Sequence, residues 1–335
     1  MTIESRSLFR NFRGYLLLAF LLLIVCIAAC LLGNTVIPPR SFLMGILQKD
    51  GYQSESIILY HLRIPRVIAG VLAGIGLSVS GVLLQSVTGN ALAGPNIIGV
   101  NAGGGFCCII LLSFFPHLWY GLPVAAFLGA FITAVIIILV AKAIHATAST
   151  VILSGIACTA ILNAGISFLS LLDADVLSSY NAFSIGGFSG VQTTQLIVPF
   201  IMIAGCLITS LILSRRIDLL CLGDTVATSL GVRTRPLRTV CLTLASAAAA
   251  AVVSYAGLLG FVGLVIPHIA RRLCGNAVGP QLIVSSFVGA IIVVLADLIG
   301  RTLLAPTEIP VGILMALIGV PFFFTLLVKR RNIYD

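Results

Sequence analysis

The sequence predicts an all-α polytopic membrane protein of about ten transmembrane helices, forming a single domain over residues 1–335. Two observations predict this class. The composition is 59% hydrophobic and only 9% charged, with a mean hydropathy of +1.18, whereas soluble proteins carry about 25% charged residues. In addition, apolar runs long enough to cross a hydrocarbon core of about 30 Å recur along almost the whole chain.

Seven apolar runs have spanning length, and three shorter runs are interrupted by glycine. The long runs lie near residues 14–33, 64–87, 122–144, 150–172, 194–214, 281–304 and 308–328. The shorter runs lie near residues 97–114, 239–255 and 256–268. Each run is expected to form one helix.

The stretch over residues 63–100 is the one around which the chain is expected to be organised. It begins with two arginines around a proline, continues with apolar or small residues, and breaks at residues 88–95, which are rich in Gly, Asn and Pro. A break of this kind leaves backbone groups unpaired at membrane depth, which is tolerated only where protein buries them or where they line a wet cavity. The break therefore indicates a translocation pathway rather than a membrane anchor.

The basic residues predict the orientation. With the N-terminus in the cytoplasm and ten crossings, only five of the 19 basic residues lie outside, namely Arg40, Lys49, Arg63, Arg66 and Arg301. This distribution obeys the positive-inside rule. It predicts cytoplasmic termini, outer segments at residues 34–62 and 173–193, and a large cytoplasmic loop at residues 215–238. The formal charge of +9 thus reports topology and gives no reason to expect nucleic acid as a partner.

The cytoplasmic loop contains a predicted short helix over residues 225–230. Asp224 is placed to act as its N-cap, and Gly231 is placed to end it in the C′ position. Leu222, Val226 and Leu230 then form an exposed apolar face. This face suits a contact in the groove of a soluble partner; the alternative is a surface helix that lies on its own bundle.

Residues with metal-binding or catalytic chemistry are sparse. The nine cysteines fall mostly inside apolar runs without a CxxC spacing, so neither a disulfide framework nor a metal site is expected. His268 has no ligand partner nearby in the sequence. Asp297 suggests either a proton relay or an ion pair with Arg301. The chain has no G-x-x-x-x-G-K-[ST] loop, so it is not expected to bind ATP or any other cofactor itself.

Four stretches in order carry a resemblance to a known family. They are RIPRVIAGVLAGIGLSVSGVLLQSVTGNALAGPNIIGV at 63–100, LGDTVATSLGV at 222–232, GLLGFVGLVIPHIARRL at 257–273, and ADLIGRTLLAPTEIPVGILMALIGVPFFFTLLVKRR at 296–331. The chain resembles FecCD-type permeases, the membrane subunits of type II ABC importers for iron-siderophore, haem and cobalamin complexes. It departs from the family at Ala91, where the family commonly has proline.

The resemblance implies a type II importer permease fold in a bacterial inner membrane. It also implies a dimer with an identical or paralogous permease, two ATPase subunits that bind ATP and Mg, and an extracytoplasmic binding protein. The expected mechanism is alternating access, and the chain is not expected to be an enzyme. The expected cargo is an iron-siderophore complex, with haem or cobalamin as alternatives. An ion-coupled secondary transporter is the less favoured alternative class, because it requires paired acids at mid-membrane that the sequence lacks. A membrane-embedded enzyme is not favoured either, because it would require a catalytic cluster that the sequence lacks.

The resemblance also implies three sets of site residues. The first would seat in a cleft of the ATPase: Leu222, Gly223, Asp224, Val226, Ala227, Leu230 and Gly231. The second would meet carboxylates of the binding protein: Arg63, Arg66 and Arg301. The third would form a cytoplasmic gate: Asn90, Leu92, Ser149 and Thr150. Alternatives stay open: the arginines could snorkel to headgroups or pair with Asp297, and Ser149 and Thr150 could cap a helix.

Overall fold

A computed structural model describes residues 12–33, 35–143 and 148–331, and within these ranges the regular structure is entirely helical. The helices are α1 (Phe12–Leu31), α2 (Pro39–Ile46), α3 (Gln53–Ile57), α4 (Ile64–Thr88), α5 (Val100–Phe114), α6 (Leu122–Ala143), α7 (Ala148–Leu172), α8 (Ala174–Ile185), α9 (Thr193–Leu220), α10 (Asp224–Ser229), α11 (Thr234–Ala256), α12 (Val262–Cys274), α13 (Val278–Thr302) and α14 (Val311–Arg331). A π-helical segment (Ile58–Arg63) leads into α4, and 3-10 segments occupy Pro95–Ile98 and Pro116–Gly121.

The all-α class is confirmed, and each of the ten predicted runs coincides with a helix. Seven helical segments among the described residues are long and apolar enough to cross a membrane. Helices α5 and α12, with 15 and 13 residues, are shorter, and α14 contributes only a shorter apolar stretch, Val311–Thr325. A total of ten crossings therefore stays a prediction.

The three predicted non-membrane segments contain more helix than expected. Residues 34–62 include α2 and α3, and residues 173–193 include α8. Residues 215–238 form a much shorter connection, because α9 continues to Leu220 and α11 begins at Thr234. Hydropathy ends a predicted helix at the first charged residues, whereas the backbone hydrogen bonds of a helix continue into water, where charged side chains are well solvated.

Helix α4 lies at the centre of the bundle, in contact with α9, α11, α12 and α13. In its most apolar window 83% of the residues are buried. Small residues face each other across its contacts: a Cβ at Gly74 would overlap the backbone of Gly289 on α13, and a Cβ at Gly81 would overlap Gly263 on α12. Lipid offers no hydrophobic drive between helices, so close backbone packing of this kind is what holds them together.

The predicted break after α4 is confirmed. Helix α4 ends at Thr88, and Gly89 takes a left-handed conformation with φ of 62°. A second break separates α11 from α12, where Gly257 and Phe261 have φ values of 69° and 64°. The two breaks lie side by side, since a Cβ at Gly263 would stand 2.8 Å from the Pro95 ring. The part of the first break nearest to this contact, residues 93–95, is buried, whereas Gly89 at its start is exposed.

The glycine contact between α4 and α13 gives a first prediction. Gly74→Ala places a Cβ where the α13 backbone already lies, so we expect a loss of about 1–3 kcal/mol in stability. The measurement is the thermal unfolding midpoint of the purified protein in detergent. Gly205→Ala on α9 is the matched control, because no atom lies within 4 Å of the place that its Cβ would take. Equal midpoints for the two variants would contradict the close packing.

Candidate functional site

The short helix α10 sits close to its predicted place, over Asp224–Ser229. Its N-terminal cap differs from the prediction. Gly223, with φ of 103°, precedes the helix, and Asp224 is the first helical residue without a capping bond. The Asp224 carboxylate instead accepts a hydrogen bond from Arg238 Nη2 on α11 at 3.0 Å. The N-cap prediction is therefore wrong, because the helix begins one residue earlier than predicted and Gly223 takes the N-cap position.

The C-terminal end of α10 confirms the role predicted for Gly231. This residue has φ of 83°, in the left-handed region that glycine adopts without strain. Its N–H donates to the Thr228 carbonyl at 3.0 Å, and the Val232 N–H donates to the Ala227 carbonyl at 3.0 Å. These two bonds form a Schellman motif. Glycine at this position lets the chain turn sharply from α10 towards α11.

The apolar face predicted on α10 is exposed. Leu222, Val226 and Leu230 are 61%, 43% and 56% exposed. Ala227, which belongs to the same predicted set, is fully buried and faces the bundle. Helix α10 therefore rests on its own bundle through one side and presents an apolar side outward, as a helix that binds a groove in another protein does.

A cleft of about 830 Å³ opens beside α10. It lies between the end of α4 with the turn that follows it at residues 89–95, which we call the hairpin, the end of α9 and the start of α13. Asp218 on α9 accepts a hydrogen bond from the Val278 N–H at 2.8 Å, so it caps the first turn of α13 from outside that helix. The cleft brings the break after α4 and the helix α10 to the same end of the bundle.

The hairpin holds two of the predicted gate residues. Asn90 Oδ1 accepts a hydrogen bond from the Leu92 N–H at 3.0 Å, and Thr88 Oγ1 accepts one from the Asn90 N–H at 3.3 Å. These local bonds close the turn without the proline that is usual at position 91. Asn90 and Leu92 are both half-buried.

The other two gate residues, Ser149 and Thr150, lie in the first turn of α7, and their side chains are outside the described part of the chain. Helix α7 packs against the Pro95–Ile98 segment. This brings α7 beside the hairpin. The gate role of all four residues stays a prediction.

Arg63 lies at the opposite end of α4 and is only 5% exposed. Its Nη1 donates to the carbonyls of Cys30 and Leu31, at 2.6 and 2.8 Å, and its Nη2 donates to Thr35 Oγ1 at 3.1 Å. The guanidinium thus satisfies carbonyl groups at the C-terminus of α1, where the helix dipole favours a cation.

Arg66 forms a fork on Asp297 of α13. Its Nε donates to Oδ2 at 3.0 Å and its Nη2 to Oδ1 at 2.9 Å, while its Nη1 donates to Glu308 Oε2 at 2.8 Å. Arg301 Nε lies 3.7 Å from Asp297 Oδ2, and Arg301 Nη2 donates to the Ala29 carbonyl. Asp297 and Arg301 are 5% and 4% exposed. We call Arg63, Arg66, Asp297, Arg301 and Glu308 the charge cluster.

The charge cluster changes the expectation for the three arginines. The docking prediction requires guanidinium groups at the surface. The guanidinium groups of Arg63 and Arg301 are buried instead, and each donates hydrogen bonds to carbonyl groups of α1. The alternative of an ion pair between Arg301 and Asp297 is confirmed. Arg66 keeps a side-chain exposure of 14%. Docking by these residues stays a prediction.

Sequence reasoning missed Glu308, which lies after α13. Its Oε2 accepts hydrogen bonds from Arg66 and from Ser189 Oγ, the latter at 3.2 Å. Burial alone raises the pKa of Glu308, but the hydrogen bond and charge of Arg66 outweigh it, so the pKa lies below the ordinary value of 4.5. No local pattern identifies this partnership, because 242 residues separate Glu308 from Arg66.

Metal-binding geometry is absent from the described ranges: no group of three or more His, Cys, Asp or Glu side chains is placed to hold an ion. All nine cysteines lie in these ranges as free thiols. They act as small apolar residues in the helices.

Comparison with known proteins gives consistent matches along nearly the whole chain. The profile of the FecCD transport family matches residues 21–329. The Fe(3+)-citrate import system permease protein YfmE of Bacillus subtilis (strain 168) is 35% identical over 96% of this chain and 97% of its own length. The hemin transport system permease protein HmuU of Yersinia pestis is 33% identical, over 95% of this chain and 96% of its own. A solved structure described as an inward-facing conformation of a putative metal-chelate type ABC transporter matches with a TM-score of 0.85 and 29% identity, covering 95% of this chain and 100% of that one.

The charge cluster gives a second prediction. Asp297→Asn keeps the shape of the side chain but removes the carboxylate that faces Arg66 and Arg301, leaving buried positive charge unbalanced. We expect a loss of about 3–5 kcal/mol in stability, measured as the thermal unfolding midpoint in detergent. Asp50→Asn, at an exposed position in the segment before α3, is the control and should leave the midpoint unchanged. A small effect of Asp297→Asn would show that the arginines are balanced by other groups.

Proposed function

The chain belongs to the FecCD transport family, the permease subunits of ABC importers, and we propose that it translocates an iron-siderophore complex delivered by an extracytoplasmic binding protein. It is a multi-pass membrane protein that acts as a transport subunit, and ATP hydrolysis belongs to a separate subunit. We further propose a bacterial inner membrane with both termini in the cytoplasm, and a second permease subunit, identical or paralogous, as the partner in the membrane.

The exposed apolar face of α10 is the observation that carries the proposal. Leu222, Val226 and Leu230 present apolar surface at the end of the bundle where soluble partners have access. The helix also contacts α9 and α11, through the buried Ala227 and, to a smaller extent, through the exposed ion pair between Asp224 and Arg238. A displacement imposed on α10 by ATPase subunits would therefore be carried to α9 and α11. ATP binding would in this way change which side of the membrane the pathway faces.

The pathway is proposed to close at the hairpin after α4. Asn90 and Leu92 border the break that the sequence placed at membrane depth, and α7, whose first turn contains Ser149 and Thr150, packs against the same segment. Small polar and apolar groups here can pack tightly when the pathway is shut. Arg66, the most exposed arginine of the charge cluster, is the residue that we retain for docking of the binding protein, because it borders the surface next to Glu308.

The cargo proposal rests on what related permeases are named for. The relatives include permeases for Fe(3+)-citrate, for iron(3+)-hydroxamate and for hemin. Iron chelates are the common chemistry of this group, so a ferric siderophore is the first candidate, and haem or cobalamin is the alternative cargo of the same machinery. Delivery by a binding protein means that the permease requires no high-affinity site of its own.

Buried charge argues against a secondary transporter. Asp297 is the only buried acid among the residues that the structure describes, and two arginines hold it in an ion-paired state. A proton- or ion-coupled cycle requires acids that release and rebind their cation within the bundle. A carboxylate fixed by a bidentate arginine is poorly suited to that task.

The function itself gives a third prediction. Vesicles that contain this permease with its ATPase and binding protein should take up ferric siderophore only when ATP is supplied. Haem and cobalamin, tested in parallel, should be taken up more slowly. The control is the same vesicle without nucleotide but with an ion gradient. Uptake driven by the gradient alone would overturn the assignment, and faster uptake of haem or cobalamin would correct the cargo.

The coupling role of α10 gives a fourth prediction. Val226→Glu places a charge in the middle of the exposed apolar face, and a charge buried without a partner at an interface weakens binding. We expect the affinity for the ATPase subunit to fall by about tenfold or more, measured by co-purification and by ATP-dependent uptake. Thr228→Glu adds the same charge at an exposed position on another side of α10 and should have a smaller effect. Equal effects would place the contact elsewhere.

A further inference from the structure

A second groove, of about 740 Å³, lies on the other side of α10, between the end of α9 and the start of α11. Leu213 and Leu219 of α9 and Val240 of α11 provide apolar walls. Arg216 and Arg233 line the same groove and are both exposed. No acidic side chain is among its lining residues, and neither arginine forms an ion pair with another described residue. The groove thus combines apolar walls with two available cations.

The order of these residues along the helices places the groove across a membrane boundary. Helices α9 and α11 are both long and apolar enough to span. Arg216 follows the apolar run of α9, and Arg233 immediately precedes α11, so both stand at the level where arginines meet lipid headgroups. Leu213 lies about one turn further into α9, and Val240 about two turns into α11. The apolar walls therefore continue from the headgroup level into the hydrocarbon region.

We propose that this groove binds one anionic phospholipid, with its phosphate on Arg216 and Arg233 and an acyl chain along Leu213 and Val240. Two arginines match a phosphate in charge and in hydrogen-bond geometry. Basic pockets between transmembrane helices on the cytoplasmic side are suited to anionic headgroups. Lipid binding requires only that α9 and α11 cross a bilayer, so it depends on neither the proposed cargo nor the ATPase.

A lipid suits the groove better than a soluble protein does. A soluble partner reaches the two arginines but not the apolar walls below the headgroup level, whereas a phospholipid fills both parts at once. Leu230 at the end of α10 also lines the groove. A bound lipid would therefore touch the last turn of the helix that is proposed to contact the ATPase.

The test measures phospholipid binding to the full chain in detergent by native mass spectrometry, titrating phosphatidylglycerol. The double variant Arg216→Gln/Arg233→Gln should weaken binding by about 30-fold. The matched control, Arg215→Gln/Arg235→Gln, removes the same charge from neighbouring exposed positions that do not line the groove, and should change affinity by less than about threefold. Equal losses would overturn the proposal, because they would show general attraction to the basic surface.

Two further arms separate the lipid from other ligands. Val240→Trp should fill the apolar part of the groove and weaken phosphatidylglycerol binding. Ile212→Trp should not, because Ile212 is 76% exposed on α9 and does not line the groove. Glycerol 3-phosphate, a headgroup without chains, should not displace the lipid. Unchanged binding in Val240→Trp, displacement by glycerol 3-phosphate, or displacement by added ATPase subunit would each overturn the proposal; the last would identify the groove as a protein interface.

Discussion

The close approach of α4 to α13 is the constraint on which the rest of this structure depends. Gly74 and Gly289 meet where neither helix has room for a Cβ, and Ser78 of α4 packs against Gly289. The two helices are antiparallel, so positions at equal distances on either side of this contact lie level with each other. Arg66 precedes Gly74 by eight residues and Asp297 follows Gly289 by eight, about 12 Å along the axis. The glycine contact therefore sets the register that brings Arg66 to Asp297.

The two ends of this helix pair differ in chemistry. At one end the charge cluster holds three arginines and two carboxylates, and the remaining positive charge is distributed over carbonyl groups at the C-terminus of α1, which Arg63 and Arg301 satisfy. A buried cation is tolerated when it is paired and hydrogen-bonded in this way. Four parts of the chain (α1, α4, α13 and the segment after α13) are thus fastened together at this end.

The other end combines polar contacts between helices with available surface. Asp218 caps α13 from α9, and Asp224 pairs with Arg238, so polar bonds connect the helices around the cleft. Apolar side chains of α10 nevertheless remain exposed, and two arginines beside them are unpaired with described acids. The charge cluster is thus paired within the chain, whereas the exposed groups near α10 are those that we propose to contact an ATPase and a phospholipid.

The sequence by itself determined the features that depend on neighbouring residues. Hydropathy located every one of the ten helical runs, the glycine-rich stretch marked the break after Thr88, and Gly231 marked the end of α10, because span length, turn chemistry and positive φ are local properties. Only the tertiary structure decided the state of the charged residues. Whether Arg63 faces water or the carbonyls of α1, whether Asp224 caps its helix or pairs with Arg238, and that Glu308 meets Arg66 all depend on groups far away in the chain. A charge is buried or exposed according to the partner that packing brings to it, and no local pattern specifies that partner.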